Sequence, residues 1–495
     1  MSDQTLRDLA DDIDELRALA AGADRRLAAF GERIADDIVS PATRDLLRRH
    51  TDDLRAAYRT VRDELAAPSH EVDALHERKD RIADTLRTLQ GVTAAALAAA
   101  DWQSPSFAHT LRSMAGTQTG RIDATITDYK RDVHLDAVAY EHAFRRAFVD
   151  APLQFPPKAY VTTSGMAAFA TVVTCLASGG AAKGAVLAGK GCYFENKDIL
   201  ERFFHGRVHP VDEMDTRAVI AAVDALRPSV IFLDSLCNTE DVAVPDLAVL
   251  LPAIEARCRA RTTLVLDNTG LGPSFQPLCH LRRTSPLQLI VVESLNKFHQ
   301  YGFDRVTGGI MWRNGMTPLA LYACRQHLGT IMPDASVLAL PAPDRALLAR
   351  RMARIDRNAA TLAAALDAHI RSQKRSALSH VVHPSLPSYR GAAWTNALPF
   401  RGGFFTIAFK TPFARPLFYT RFVSVVLDEA KRAGLQLTSG TSFGFSTTRI
   451  YLTALHAKKR AKPFVRVSVG TESAAQMEQL VEVFRRAADR MAFPV

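Results

Sequence analysis

The sequence predicts an α/β fold: a mostly parallel sheet flanked by helices, preceded by a helical segment and followed by a smaller C-terminal α+β part. Three observations carry this expectation. From Ala159 onward, short apolar runs of strand length alternate with helical text, and uninterrupted apolar runs suit a parallel sheet covered on both faces. Up to about residue 115 the chain is rich in Ala, Leu, Arg, Asp and Glu, poor in Gly, and its apolar residues recur at helical spacing. After a long helical stretch from Arg345 to about Ser372, strands return and the chain closes on one more helix. The expected divisions are 1–115, 116–375 and 376–495.

In the first segment Leu6, Leu9, Ile13, Leu16 and Leu19 set a helical period. It returns in Leu46, Leu54, Tyr58 and Val61, and again in Val72, Leu75, Ile82, Leu86 and Leu89. Three or four amphipathic helices are expected, with breaks near Gly22, Ser40-Pro41 and Pro68-Ser69. Ser40-Pro41 and Ser69 have the character of N-terminal caps. No chemistry is evident in this segment, which reads as a packing or oligomerisation module. A helix containing Tyr140, His142 and Phe144 follows, and Pro152, Pro156 and Pro157 then break the chain. Strands are expected at Ala159–Thr162, Ala185–Ala188, Val230–Asp234, Thr263–Asp267 and Leu289–Val292. Helices are expected at Met166–Ala177, Thr216–Leu226 and Leu247–Arg257. In the last part, 402–407 and 464–469 read as strands and the closing helix runs from about Ala474 to Met491.

Composition narrows the class. The 495 residues suffice for two or three domains, and 47% hydrophobic with 23% charged residues is ordinary for a soluble enzyme. The formal charge of +10 is spread along the chain, and its densest cluster (Lys458, Lys459, Arg460, Lys462) is short, which argues against nucleic acid. Cysteines 175, 192, 237, 258, 279 and 324 form no CxxC pair and no metal-ligand pattern, and they read as reduced thiols of a cytoplasmic protein. The polar, acidic N-terminus does not read as a signal peptide, and no apolar run reaches spanning length.

Four features carry chemistry. The apolar strand ending at Val292 runs into a turn bearing Ser294 and Lys297. A buried ammonium is costly, whereas a desolvated lysine amine can form a Schiff base with a carbonyl cofactor. Thr163-Ser164-Gly165-Met166 joins a strand to a helix, where free N–H groups and the positive helix end can hold an anion. Asp267 ends a strand, facing the crevice where α/β sheets bind ligands. Arg466 sits in the middle of an apolar strand, where its planar fork needs either an internal ion pair or a bound carboxylate.

Together these features resemble the Cys/Met-metabolism family of pyridoxal phosphate enzymes, the cystathionine and methionine γ-lyases, cystathionine γ-synthases and O-acyl-homoserine sulfhydrylases. The resemblance runs from about Tyr129 to the C-terminus. It implies the pyridoxal-phosphate-dependent transferase fold of type I, with a seven-stranded-type sheet. Thr163-Ser164-Gly165-Met166-Ala167-Ala168 is similar to the family's phosphate-binding turn, with Ser164, Gly165 and Met166 at the cofactor. Tyr129-Lys130-Arg131 resembles its Tyr-x-Arg, which reaches the phosphate in a neighbouring subunit. That implies a homo-oligomer, at least a dimer and by expectation a homotetramer. Tyr193 falls where a tyrosine stacks on the cofactor ring, and Asn238 where an Asn lies near its phenolic oxygen. Leu266-Asp267-Asn268-Thr269 matches the segment whose Asp holds the pyridinium nitrogen, and Ser294-Leu295-Asn296-Lys297-Phe298 the one with the phosphate serine and Schiff-base lysine. Arg466-Val467-Ser468-Val469-Gly470 matches the segment that binds the substrate carboxylate.

Departures are equally specific. The loop after Lys297 reads Tyr301-Gly302-Phe303 instead of Gly-His-[Ser/Thr]. Ser442-Phe443-Gly444-Phe445-Ser446-Thr447 replaces Ser-Leu-Gly-Gly-x-Glu, so Thr447 stands where several γ-acting members carry Glu. Nearby Arg449 is a candidate for an anionic distal group, and Ser442, Thr447 and Arg449 are taken with Arg466 as substrate residues. The helical first segment has no counterpart in the usual members. The resemblance implies a lyase or transferase acting on a γ-substituted L-amino acid, with Lys297 moving the Cα proton, Asp267 supporting the ring and Tyr193 assisting the leaving group. β-Elimination or transamination is the alternative.

Overall fold

The computed structural model describes residues 3–37, 41–69, 71–99, 130, 134–152, 155–257, 262–314, 319–453 and 462–492. It opens on three long helices, α1 (Asp3–Asp37), α2 (Pro41–Ala66) and α3 (Val72–Ala99). Their apolar stripes meet in one core, with Leu16, Leu27 and Phe30 of α1 against Leu54, Tyr58 and Val61 of α2 and Ile82 and Leu86 of α3. The break expected at Gly22 does not occur, and α1 runs through it. One helical Gly costs only about 1 kcal/mol relative to Ala, and burial of Ala20, Ala23 and Leu27 around it outweighs that. The third helix is entered later than Ser69: the Leu75 N–H donates to the Glu71 carbonyl, which makes Glu71 the capping position.

The body that follows is built on α4 (Leu135–Phe148), β1 (Lys158–Thr162), α5 (Gly165–Ser178), β2 (Val186–Gly189), α6 (Phe194–Phe203), β3 (Val208–Val211), α7 (Thr216–Leu226), β4 (Val230–Asp234), α8 (Leu247–Arg257), β5 (Thr263–Asp267), β6 (Gln288–Ser294) and β7 (Gly309–Arg313). Its seven strands lie in the order β1-β7-β6-β5-β4-β2-β3. Strand β7 is antiparallel to both neighbours, and the other pairings are parallel. Strand β4 is buried along its whole length and β5 and β6 in all but end residues, which is why they read as apolar runs. Register does the functional work. Asp234 of β4 lies opposite Asp267 of β5, and Ser294 of β6 lies opposite Gly309 of β7. The carboxyl ends of the strands thus collect polar side chains at one edge of an apolar sheet.

Helices α9 (Leu321–His327) and α10 (Asp334–Ala339) lead into α11 (Arg345–Ser372). Strand β8 (Leu378–Val382), α12 (Ala392–Thr395), β9 (Phe404–Phe409), α13 (Pro416–Arg432), β10 (Thr438–Ser439), β11 (Arg449–Thr453), β12 (Phe464–Ser468) and α14 (Ala474–Asp489) complete the chain. The second sheet has the order β10-β11-β12-β9-β8, which puts β12 at its centre. Helix α11 belongs to both cores: Leu347, Met352 and Ile355 pack into the first, Leu362, Leu366 and Ile370 into the second. Among the described residues, no helix is long and apolar enough to cross a membrane.

Candidate active site

A cavity of about 430 Å³ opens where the strand ends of the first sheet face β12 of the second. Ser164, Gly165, Met166, Tyr193, Asn238, Asp267, Ser294, Lys297, Ser442 and Arg466, all expected from sequence, line it together. Tyr129 and Arg131 lie outside the described residues.

The α5 end is built for an anion. Ser164 is its N-cap, and its side-chain oxygen accepts from the Ala167 N–H. The Gly165 and Met166 N–H groups, in the first turn, have no intrahelical acceptor and lie at the positive helix end. Gly165 is needed for close approach, since a Cβ there would sit 2.8 Å from the Ser294 Cβ. Gly309 is equally constrained, because a Cβ would fall 2.2 Å from the Ser164 carbonyl oxygen. The turn and the Ser294 loop are therefore locked face to face.

Two carboxylates, the buried Asp234 and the half-buried Asp267, stand side by side on β4 and β5. Burial and the neighbouring Asp267 push Asp234 well above the carboxylate range, partly opposed by the Tyr193 N–H, which donates to it at 2.9 Å. Burial also raises Asp267, but the Thr269 N–H at 3.0 Å and Asn196 Nδ2 at 3.3 Å favour its charged form. The stronger push toward the neutral form falls on Asp234, while Asp267 keeps more hydrogen bonds that favour its charged form. Asn196 was not expected from sequence. The signal was its place one turn after Tyr193, which caps α6, so that both side chains face one way.

Lys297 follows β6, and its Nζ donates to Ser442 Oγ at 2.8 Å. Burial, with the Arg466 charge second, lowers its pKa from 10.5 to about 8. The lowered value brings the free amine, the state a nucleophile or base needs, closer to reach than in an exposed lysine. Arg466 is 3% exposed and lies across from Tyr451 and Thr406 in the second sheet. Its Nη1 donates to Asn238 Oδ1 at 2.7 Å and its Nη2 to the Ser442 carbonyl at 3.2 Å, while its Nε has no partner. Among the described residues it makes no ion pair, and burial lowers its pKa to about 10. Asn238 is therefore tied to the guanidinium.

Thr447 and Arg449 do not line this cavity. Gly444, at φ +88°, turns the loop so that Thr447 enters a separate small recess with Lys79 and Glu472. The substrate reading does not extend to Thr447. Arg449 stacks over the Phe445 ring at 3.5 Å and donates to the Thr441 carbonyl at 3.3 Å, at the rim. Asp304 and Phe443, which belong to the segments the resemblance runs through, also line the cavity, as does Thr307, which the sequence gave no reason to select.

A model of the Cys/Met metabolism PLP-dependent enzyme family matches residues 117–483. The chain belongs to this family. Its cofactor is pyridoxal 5′-phosphate. Among curated proteins it is 25% identical over 320 residues to the bifunctional enzyme flvA of Aspergillus flavus, covering 64% of this chain and 37% of that protein. It is 30% identical over 169 residues to a methionine gamma-lyase of Arabidopsis thaliana, covering 32% of this chain and 34% of that protein. The matches thus span little more than a third of these curated relatives. The fold is that of apo CalE6, a methionine gamma lyase from Micromonospora echinospora, with TM-score 0.57 and 20% identity over 73% of this chain and 88% of that one. It is also that of cystathionine gamma synthase from Xanthomonas oryzae pv. oryzae, with TM-score 0.58 and 18% identity over 74% and 89%. The cavity suits the cofactor: an open helix end for the phosphate, the Asp267 carboxylate for a pyridinium and a lysine of lowered pKa for the carbonyl carbon. Replacing Asp267 by Asn removes that carboxylate, and the cofactor should dissociate about tenfold or more readily, as measured by absorbance after equilibrium dialysis.

Proposed function

We propose that this family member is a lyase or transferase that acts on a γ-substituted L-amino acid, by γ-elimination or γ-replacement. The observation that carries the reading is Arg466, a buried guanidinium without an ionic partner among the described residues, in the same cavity as a lysine of lowered pKa. A buried cation left unpaired is costly unless a ligand supplies the anion. An α-carboxylate matches its fork. The γ-position is supported by the names of the relatives, which are gamma-lyases and a gamma synthase.

Ser164, Gly165, Met166 and Ser294 would hold the cofactor phosphate, with Tyr129 and Arg131 reaching it from a neighbouring copy. Asp267 would hold the ring nitrogen, Tyr193 would cover the ring face, and Asn238 would orient Arg466. Bound pyridoxal phosphate supplies an electron sink for the charge left when a Cα bond breaks. Lys297 anchors it and, once its amine is free, takes the Cα proton, with Ser442 Oγ fixing its direction. Arg466 holds the carboxylate and so sets which Cα bond faces the base. Loss of a Cβ proton then lets the γ-substituent depart. The Tyr193 phenol, pushed up to about 12 by burial and then Glu195, stays protonated and can donate to the leaving group. Arg449 at the rim would meet an anionic distal end. We further propose that the protein works in the cytoplasm as a homo-oligomer, at least a dimer, and divides at 1–115, 116–375 and 376–495.

Mass spectrometry of products from a panel of β- and γ-substituted L-amino acids, with and without thiols, tests this. 2-Oxobutyrate or a thiol adduct from γ-substituted substrates alone is expected. Pyruvate from β-substituted substrates alone would move the assignment to β-elimination, and a keto acid that keeps the substrate skeleton would move it to transamination.

A further inference from the structure

The three N-terminal helices lie outside the family match, and their first helix touches the machinery of the site. Asp8, Asp12 and Glu15 occupy one face of α1, at spacings of four and three residues. Opposite them on α11 stand Arg351, Arg354 and Arg357. Arg357 grips Asp8 with two bonds of 2.8 Å, Arg354 donates to Asp12 at 2.9 Å and Arg351 to Glu15 Oε1 at 2.7 Å.

Arg351 differs from the other two in where its second arm goes. Its side chain is 1% exposed, and Nη2 donates to Ser446 Oγ at 3.1 Å and to the Gly444 carbonyl at 3.3 Å. Gly444 packs against the turn that carries Lys297, where a Cβ on it would fall 2.7 Å from the Lys297 carbonyl carbon. Two residues earlier is Ser442, at φ +76°, a conformation that costs a non-glycine residue free energy and persists only where its surroundings hold it. Its side chain accepts from Lys297 and its carbonyl from Arg466. One strained residue thus sets both the lysine and the arginine, and the loop that carries it is clamped from behind by a buried arginine.

We propose that Arg351, held by Glu15 of the N-terminal helix, is a positioning residue that fixes the 441–446 loop and through it Ser442. Glu15 Oε1 accepts from Nη1 and keeps the guanidinium in place, while Nη2 reaches the loop. The helical segment is then part of the site's scaffold. The naming of Lys297 and Arg466 as working groups rests on the proposed function, but the clamp itself does not.

The test is amide hydrogen exchange on the full chain loaded with pyridoxal phosphate, read in the peptides spanning 440–448 and, as a reference, in β12. Arg351→Met should speed exchange in the loop about tenfold, the equivalent of one lost charge-assisted hydrogen bond, and leave β12 unchanged. Glu15→Gln should act in the same direction more weakly, and Arg351→Lys should restore part of the protection. Should Arg351→Met fail to fold, Glu15→Gln carries the test. Asp24→Asn is the control: it breaks the ion pairs to Arg55 and Arg62 within the helical segment, away from Arg351 and the 441–446 loop. Unchanged loop exchange in folded Arg351 and Glu15 variants would overturn the proposal, as would an equal effect from Asp24→Asn. No substrate enters this measurement, so its failure is separable from a failure of the product panel.

Discussion

Lys297→Ala should abolish turnover, with a loss on the order of 10⁴-fold or more, because it removes both the covalent anchor and the proton-transferring base. Stopped and steady-state product assays on protein saturated with pyridoxal phosphate read it. A second consequence runs the other way. Folding lowers the lysine pKa from 10.5 to about 8, so the charged amine opposes folding by up to about 3 kcal/mol. The penalty is complete below pH 8. It fades as pH rises toward 10.5, because across that window the unfolded chain binds the proton and the folded chain does not. In cofactor-free protein, Lys297→Met should therefore be about 2 kcal/mol more stable at pH 7, after allowing for the lost bond to Ser442 Oγ. That gain should shrink as pH climbs through the same window, which urea unfolding can follow. A lysine that only snorkelled to solvent would show neither effect.

Arg466→Leu should lower kcat/KM by about 10³-fold, the loss of two charge-assisted hydrogen bonds to a carboxylate. Arg466→Lys keeps a charge but not the fork, and should recover only part of that. The decisive comparison uses the decarboxylated amine of a working substrate. The wild-type enzyme should discriminate strongly between amino acid and amine, and the Leu variant should nearly lose that discrimination. Because the guanidinium has no ionic partner among the described residues, the cofactor-free Leu variant should unfold at no lower urea concentration than wild type. A drop of several kcal/mol would mean that Arg466 was serving an internal ion pair after all.

Much of this site was legible because it is written locally. A serine and glycine between a strand and a helix can hardly avoid making an open helix end, and the cap at Ser164 follows directly. Asp267 and Lys297 were visible because a charged residue at the end of an apolar run is conspicuous. Arg466 stood out as a charge in the middle of an apolar strand, and among the described residues it has no carboxylate partner, which favours the bound-carboxylate reading over an internal ion pair. What sequence could not show depends on turns and long-range pairing. Thr447 was taken as a substrate residue because it stands where several γ-acting family members carry Glu, but the positive φ of Gly444 carries it out of the cavity. Strand β3 was missed because His209 and Pro210 interrupt its apolar pattern at a sheet edge, where a proline is tolerated. Asp8, Asp12 and Glu15 drew no attention in the sequence, since their arginine partners lie more than 300 residues away.

The most direct test of the account is to reduce the cofactor-loaded enzyme with borohydride, digest it and locate the pyridoxyl group by mass spectrometry. The account predicts one modified peptide, with the group on Lys297, and none in Lys297→Ala. A pyridoxyl group on another lysine, or cofactor that washes away unreduced from a protein that still turns over, would contradict it.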